Sequence, residues 1–339
     1  MTTTTTTLTS SEHAVLVNPR ANRASKELIA AIGEIVSPDH VYVCDDGDDY
    51  RDVVDALLTR GYGTVFTAGG DGTVHRFINE LDARDTAASP PRIGIVALGA
   101  GNGLAGVVSG GGGDPLNDLR TYVLNPSADT LRLGLCEAEG VQFAYGSLGL
   151  EASALRDFRA LLGAAQKGPL RRAFHGRAGY VTAIFGMTLP RRLFRKKVGV
   201  KVTLTGARGH AATDGDSGAE LGRAYAPGDV LYEGPANAVL MGTCPFFGHR
   251  FKLLPLAGVD AGRFHLRISN VAPTKLLANL GRLRRGTFAH PAIFDFLVDE
   301  VHLEFTEPVP FQVAGELLGE RQTLTIAASR SGVDLVRFL

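Results

Sequence analysis

The chemistry this chain can do gathers at a carboxylate set among glycines. Asp71 lies in the run Gly69, Gly70, Asp71, Gly72, Thr73. Thr64 to Ala68, just before it, are β-branched, aromatic or small, as in a buried strand. After it, Val74, Phe77, Ile78 and Leu81 recur at i, i+3, i+4 and i+7, the stripe of a helix lying on a sheet. A strand that turns through glycines into a helix brings backbone N–H groups and the positive helix end to one point. Phosphate suits such a point, because glycine lets the backbone come close. A carboxylate there would repel an anion unless it had another task. Asp71 is therefore expected to hold Mg²⁺ or to take a proton. Taken alone, the five residues are equally a strand–turn–helix with a capping Asp.

Other residues of similar promise follow strand-like runs. Asn18 and Pro19 follow the apolar Ala14 to Val17, and Asn18 reads either as part of a nucleotide site or as a turn residue. Arg92 to Leu98 runs into Gly99–Gly106, GAGNGLAG, where Gly101, Gly103 and Gly106 spell a literal GxGxxG. That dinucleotide fingerprint belongs on the first strand–helix turn of a unit, not the fourth. No acid ends a following strand about 20 residues on, as the fingerprint requires. In a chain with 42 glycines the spacing is also weak evidence. Near the C-terminus, Gly315 and Glu316 follow Phe311, Gln312, Val313 and Ala314.

GGDGT followed by an amphipathic helix resembles the diacylglycerol kinase catalytic domain, shared by bacterial lipid kinases, sphingosine kinases and ceramide kinases. NAD kinases and phosphofructokinases carry a similar loop. Asn18–Pro19 resembles the family's opening loop. Gly99, Gly101, Asn102, Leu104 and Ala105 match the sphingosine kinase pattern, while Ala97, Ala100 and Gly103 depart from it. Gly146 to Ala152 is similar to a family segment with Glu151 in the acidic place. Gly315 and Glu316 match the last two residues of the family's Asp-Gly-Glu, with Ala314 where the Asp would stand. Pro255, Ala257, Asp260 and Gly262 match a further segment. The resemblance runs from Ala14 to Leu339. It implies ATP and Mg²⁺ as cofactors, with nucleotide contacts at Asn18, Gly69, Gly70, Gly72, Thr73, Gly99, Gly101 and Asn102. It also implies catalytic roles for Asp71 and Glu316; the metal ligands are not assigned.

These residues must be held by elements. Helices at Ser25 to Val36 and Tyr50 to Arg60 alternate with strands at Ala14, Val41, Thr64 and Arg92, the pattern of a doubly wound parallel sheet. A helix is expected at Pro115 to Val123, after a flexible loop at Gly110 to Gly113. From about Leu131 strands dominate, starting with a hairpin about Glu139–Gly140. Further strands are expected at Val198 to Thr205, Ala236 to Thr243 and Phe264 to Ser269. The fold class is thus α/β plus all-β. An N-terminal nucleotide-binding domain of the NAD kinase/diacylglycerol kinase type is followed by a β-rich, sandwich-like one. The expected parts are a disordered tail at 1–12, the α/β domain at 13–129, completed by about 328–339, and a lipid-substrate domain at 130–327.

Formal net charge is zero and charged residues are 21%, which gives nucleic acid no general electrostatic hold. Cys44, Cys136 and Cys244 lie far apart with no metal-like spacing, so reduced thiols are expected. The lead-in MTTTTTTLTS lacks the basic and apolar parts of a signal peptide. No apolar run reaches the roughly 20 residues of a membrane span. Leu155 to Lys197 is strongly basic, with Arg191, Arg192, Arg195, Lys196 and Lys197 directly after the apolar Ala178 to Leu189. That span reads as a solvated face or as a surface for anionic lipid.

The reading is an ATP-dependent kinase of a lipid hydroxyl, on diacylglycerol, a sphingoid base or a similar alcohol. Its domains would face each other across a cleft. Asp71 would act as base or Mg²⁺ ligand, with base favoured because Ala314 cannot serve, and Glu316 would help through metal or water. The expected partners are the lipid and, transiently, an anionic membrane surface, with a homodimer left open and no nucleic acid. The expected place is the cytoplasm and the membrane periphery, in phospholipid biosynthesis. A regulator that binds nucleotide without catalysis is the alternative, and an NAD(P)-dependent enzyme the weaker one.

Overall fold

Strand β1 (His13–Val17) sets the character of the first half, since Ala14, Val15, Leu16 and Val17 are all fully buried. The computed structural model describes residues 13–45, 47, 49–84, 90–99, 101–108, 114–125, 129–164, 197–215 and 218–338. The expectations for the lead-in 1–12, Ala100, the Gly110–Gly113 loop and most of the basic span, 165–196, lie outside these residues. The chain forms two compact units. One comprises Met1–Gly99, Val108–Arg132 and Val333–Leu339, the other Ala100–Val107 and Leu133–Gly332.

In the first unit β1 is followed by α1 (Lys26–Val36), β2 (Val41–Val43), α2 (Tyr50–Arg60), β3 (Thr64–Gly69), α3 (Asp71–Asp82) and β4 (Arg92–Ala97). The chain then passes through α4 (Ala105–Val108), which apart from Val108 belongs to the second unit, to α5 (Pro115–Leu124) of the first. Ser25 caps α1 by accepting from Leu28 N at 3.1 Å, and Gly61, with φ of 70°, closes α2 in the left-handed region. The strands are parallel in the order β2, β1, β3, β4. Val15, Val17, Phe66, Ala68 and Val96 share one core with α1 and α5. Because strand side chains alternate, Leu16, Val65, Ile93 and Ile95 face the other way, yet they too are buried. That face falls to α2 and α3, where the Arg76 guanidinium lies 4.0 Å from the centre of the Tyr50 ring. Covering on both faces is why these strands read as unbroken apolar runs.

The second unit is β-rich. β5 (Thr130–Ala138) and β6 (Val141–Phe143) form a hairpin through Glu139 and Gly140, at φ of 53° and 75°. Then come β7 (Tyr145–Gly149), α6 (Leu150–Ala164), β8 (Val198–Leu204), β9 (Gly209–Gly215), β10 (Gly218–Tyr225), β11 (Val230–Ala236) and β12 (Ala238–Gly242). Two short strands, β13 (Phe246–Phe247) and β14 (Phe251–Lys252), precede β15 (Phe264–Ser269). Helices α7 (Pro273–Ala278) and α8 (Leu280–Arg285) lead to β16 (Ile293–Val298), β17 (Glu300–Val313) and β18 (Glu316–Val336). The antiparallel order is β10, β9, β16, β15, β12, β7, β17. β17 pairs with β8 through Val301–Phe305 and with β7 through Phe311–Val313. Its core includes Phe143, Phe264, Phe311, Leu266 and Val301. An α/β part followed by a β-rich part is the fold class expected.

The strand expected over Ala236 to Thr243 is β12, which pairs with β7 and β15, while β11 ends at Ala236 and pairs with β8. The long β17–β18 hairpin was not foreseen. Among the described residues the three cysteines are free and buried, and burial pushes the Cys136 thiol up. No described helix is long and apolar enough to cross a membrane.

Candidate active site

The order β2, β1, β3, β4 places a switch point between β1 and β3. Chain connections there leave in opposite directions, and such crevices at the carboxyl ends of strands receive ligands in open α/β sheets. Asn18 follows β1 and Gly70 follows β3, so both stand at this point. Asn18 N donates to Ala68 O at 3.0 Å, and Asn18 Nδ2 donates to Thr73 Oγ1 at 3.3 Å. Leu98 N and Gly99 N both donate to Gly69 O, at 2.8 and 3.1 Å. The ends of β1, β3 and β4 are thereby fastened together. A Cβ on Gly70 would lie 3.2 Å from Gly99 Cα, tighter than ordinary packing. Two glycine backbones thus lie against each other at the N-cap of α3.

Individual roles within the loop differ from the expectation. Gly69 is the last residue of β3, opposite Ala97, and a Cβ there would meet Thr73 Oγ1 at 2.3 Å. The Thr73 side chain alone therefore demands glycine at 69. Thr73 N donates to Gly70 O at 3.0 Å, so its amide is committed to the helix turn while its hydroxyl meets Asn18. That leaves Gly72, with Gly70 behind it, as the backbone best suited to an anion. Asp71 is the first residue of α3, buried at 8% exposure. A negative charge at that position is stabilised by the helix end.

Gly101, Asn102 and Glu316 belong to the second unit. Asn102 adopts φ of 49°, a left-handed conformation that Asn tolerates better than most residues. A Cβ on Gly103 would meet Phe246 O at 2.7 Å, and one on Gly106 would meet the Phe246 ring at 3.1 Å. Two of the three fingerprint glycines are accounted for by Phe246. The helix after them, α4, is only four residues long. Both observations remove the basis of the dinucleotide reading. The Phe246 contact also accounts for the departure at Gly103, since no side chain fits there.

Ala314 and Gly315 form the two-residue turn from β17 to β18, at φ of 47° and 84°. Positive φ at both positions is the type I′ pattern, which favours Asn-Gly and Asp-Gly. Glu316 begins β18 opposite Val313 and is exposed. Behind the turn lies a polar cluster that the sequence reading missed in part. Gln312, fully buried, accepts from Gly315 N at 2.9 Å through Oε1. Its Nε2 donates to Ser147 Oγ at 2.9 Å and to Glu151 Oε2 at 2.8 Å. Ser147 Oγ donates to Glu151 Oε2 as well. Arg159 Nη2 donates to Gly315 O at 2.9 Å. Glu151 was singled out; Gln312 and Ser147 were not. The available signal was one amide inside the apolar run Val309 to Val313.

A second buried polar group lies on β15 and β16. Arg267 and Asp295 are directly paired in register, with Arg267 Nε 2.6 Å from Asp295 Oδ1. His265 Nε2 lies 2.8 Å from the same oxygen, and Arg267 Nη1 donates to Leu253 O. Burial alone would raise the Asp295 pKa, but bonds from His265 and Arg267 outweigh it and hold the carboxyl at about 2. Burial lowers the His265 pKa. Among the described residues no three His, Cys, Asp or Glu side chains converge as a metal cage.

Residues 12–134 match the family model described as the diacylglycerol kinase catalytic domain. Over those residues the chain is similar in sequence to that domain. The match takes in Asn18, the Gly69–Thr73 loop and the Gly99–Gly106 segment. A solved diacylglycerol kinase structure from Bacillus anthracis str. Sterne aligns with a TM-score of 0.64 at 17% identity, covering 97% of each chain. A second structure from that organism aligns at 0.64 and 16% identity, over 97% of this chain and 95% of the other. At such identities the likeness is one of fold, and it extends through the β-rich unit. An NAD kinase from Archaeoglobus fulgidus in complex with ATP aligns at 0.46 and 12% identity, over 96% of this chain and 93% of that one. No curated protein sequence matches the chain.

Proposed function

We propose that the chain is an ATP-dependent lipid kinase that moves the γ-phosphoryl group to a lipid hydroxyl. The observation that carries this reading is the close approach of Gly70 and Gly99 at the β1/β3 switch point of a domain similar to the diacylglycerol kinase catalytic domain. Such a cradle suits phosphate oxygens, because a Cβ would fill the space they take. Gly69, Gly70, Gly72, Thr73 and Gly99 shape the loop, with Gly72 donating. The Asn18–Thr73 bond braces it.

The reaction forms a bond from the acceptor oxygen to the γ-phosphorus and breaks the bond from that phosphorus to the β–γ bridging oxygen. ADP leaves, and the hydroxyl proton passes to a base. Asp71 is that base. A loose phosphoryl-transfer transition state needs positioning and charge neutralisation more than a strong base. Mg²⁺ would neutralise phosphate charge. It is usually bound through one or two carboxylates and the substrate phosphates, so a protein cage is not required. Asp71 is the alternative ligand.

The test is incubation with labelled ATP, Mg²⁺ and a panel of diacylglycerols, sphingoid bases and other long-chain alcohols. Phosphorylation of none, despite ATP binding, would leave a nucleotide-binding regulator. With an active acceptor in hand, Asp71→Asn should cut turnover by roughly 10²-fold or more at near-constant nucleotide affinity. A parallel loss of Mg²⁺-ATP affinity would move Asp71 from base to metal ligand. On this reading the enzyme works at a cytoplasmic membrane surface, in phospholipid biosynthesis.

A further inference from the structure

We propose that α7 and α8, with Lys252 of β14, form a docking surface for an anionic phospholipid bilayer. The proposal rests on the lipid-kinase reading for its purpose and on the second unit alone for its geometry.

No acid occurs between Asp260 and Asp295. Two of the cations in that stretch, Arg263 and Arg267, are buried and paired to those acids. The others, Lys275, Arg282, Arg284 and Arg285, lie on α7 and α8, are exposed and make no ion pair with any described residue. Neither helix buries a residue. Leu280 is 41% exposed, and Leu276, Leu277 and Leu283 are half-buried among the cations. Lys252 joins them, since a Cβ on Gly286 would fall 2.8 Å from Lys252 Cδ.

The pair of helices is held in place locally. Gly286, at φ of 76°, donates to Leu283 O at 3.1 Å, and Thr287 N donates to Arg282 O at 3.0 Å. That is a Schellman closure, which fixes the basic end of α8. Favourable contact with the negative helix end explains Arg284 and Arg285. It does not explain Lys275, five residues before α8, or an exposed leucine between the cations. Cations with leucines among them, and no acid, match a surface of lipid phosphates over hydrocarbon. A nucleic-acid groove is the poorer fit, because α7 and α8 carry no aromatic side chain on which a base could stack.

Near an anionic bilayer each cation is worth about five-fold in partition, so four acting together reach the order of several hundred-fold. The full chain should float with vesicles of equimolar phosphatidylserine and phosphatidylcholine, and stay behind with phosphatidylcholine alone. Raising salt from 0.1 M towards 1 M, which shortens the Debye length from about 10 Å to about 3 Å, should release it. The variant Lys275→Gln/Arg282→Gln/Arg284→Gln/Arg285→Gln should lose at least about 30-fold of that binding, within the bound set by the per-cation worth. Its denaturation midpoint and its turnover of a short-chain soluble acceptor should be unchanged. Leu280→Ser should weaken vesicle binding without altering its salt dependence. Equal flotation of the quadruple variant and the natural chain would overturn the proposal, as would indifference of the natural chain to phosphatidylserine. So would a quadruple variant that loses single-stranded RNA binding but keeps vesicle binding. Anionic-vesicle binding that depends on these residues, without turnover of any lipid alcohol, would uphold the surface and sink the kinase reading instead.

Discussion

Gln312→Leu should cost the second unit about 3.5–5 kcal/mol, because one buried amide serves three partners. Gly315 N–H and Ser147 Oγ are neutral, and each hydrogen bond to such a group is worth about 1 kcal/mol net. The Glu151 carboxylate is charged, and a bond to it is worth about 1.5–3 kcal/mol. Leucine fills a similar volume, so little cavity forms, but it leaves a backbone N–H and a carboxylate oxygen short of a partner in a buried place. For a unit of about 200 residues, each kcal/mol shifts Tm by about 2–4 °C, so a fall near 10 °C is expected. Calorimetry on the full chain measures it. Ser147→Ala should cost about 1–2 kcal/mol, since it removes one donor to Glu151. The double variant should lose less than the sum, because both substitutions strip the same carboxylate. A Gln312→Leu loss below about 1 kcal/mol, or strict additivity with Ser147→Ala, would show that the cluster does not brace the turn.

Acid should unfold the second unit partly through Asp295. Its folded pKa of about 2 lies below the usual carboxylate value, so its stabilisation is full above pH 4 and is lost as pH falls towards 2. The lowered His265 pKa acts in the same direction below about pH 6.5, because the buried imidazole must stay neutral. Asp295→Asn should therefore flatten the acid limb of a stability–pH curve and cost about 2 kcal/mol near neutrality; an unchanged limb would refute the assignment. Gly69→Ala should destabilise the first unit by about 1–3 kcal/mol through collision with Thr73, read by urea midpoint. Gly70→Val should abolish ATP binding in calorimetry, since even the first added carbon meets Gly99.

The parallel half was legible because its signals are local. Ser25 as a cap, the stripe of Val74 to Leu81 and the span of α2 from Tyr50 to Arg60 all stand where the pattern puts them. Glu139–Gly140 was legible as a hairpin because two adjacent residues carry the turn. The β17–β18 hairpin was hidden by its own burial pattern. Glu307 is exposed where the alternation of Val301, Leu303 and Phe305 calls for a buried residue, and a bulge between Glu304 and Val309 resets the register. In the site, Asn18 and the glycines could be named from type and order, but not the reason for each. Thr73 dictates Gly69, and Phe246 dictates Gly103, through contacts of sequence-distant or side-chain origin that periodicity does not carry. Gln312 escaped notice for a like reason: its partners are 165 and 161 residues away.

The last strand carries a consequence for synthesis. β18 leaves the turn at Ala314–Gly315 and runs until Leu335 lies parallel beside Ile93 of β4. Val336 and Phe338 then enter the same core as Phe66 and Leu119. Residues that close the core of the first unit are therefore made only after nearly all of the second unit. While the β-rich unit emerges, β4 must wait with one edge unpaired, an exposed template of the kind that invites aggregation. A chain cut after Gly332 would keep the β17–β18 pairs of the second unit and lose the residues that close the first. The damage would thus appear more than two hundred residues upstream of the cut.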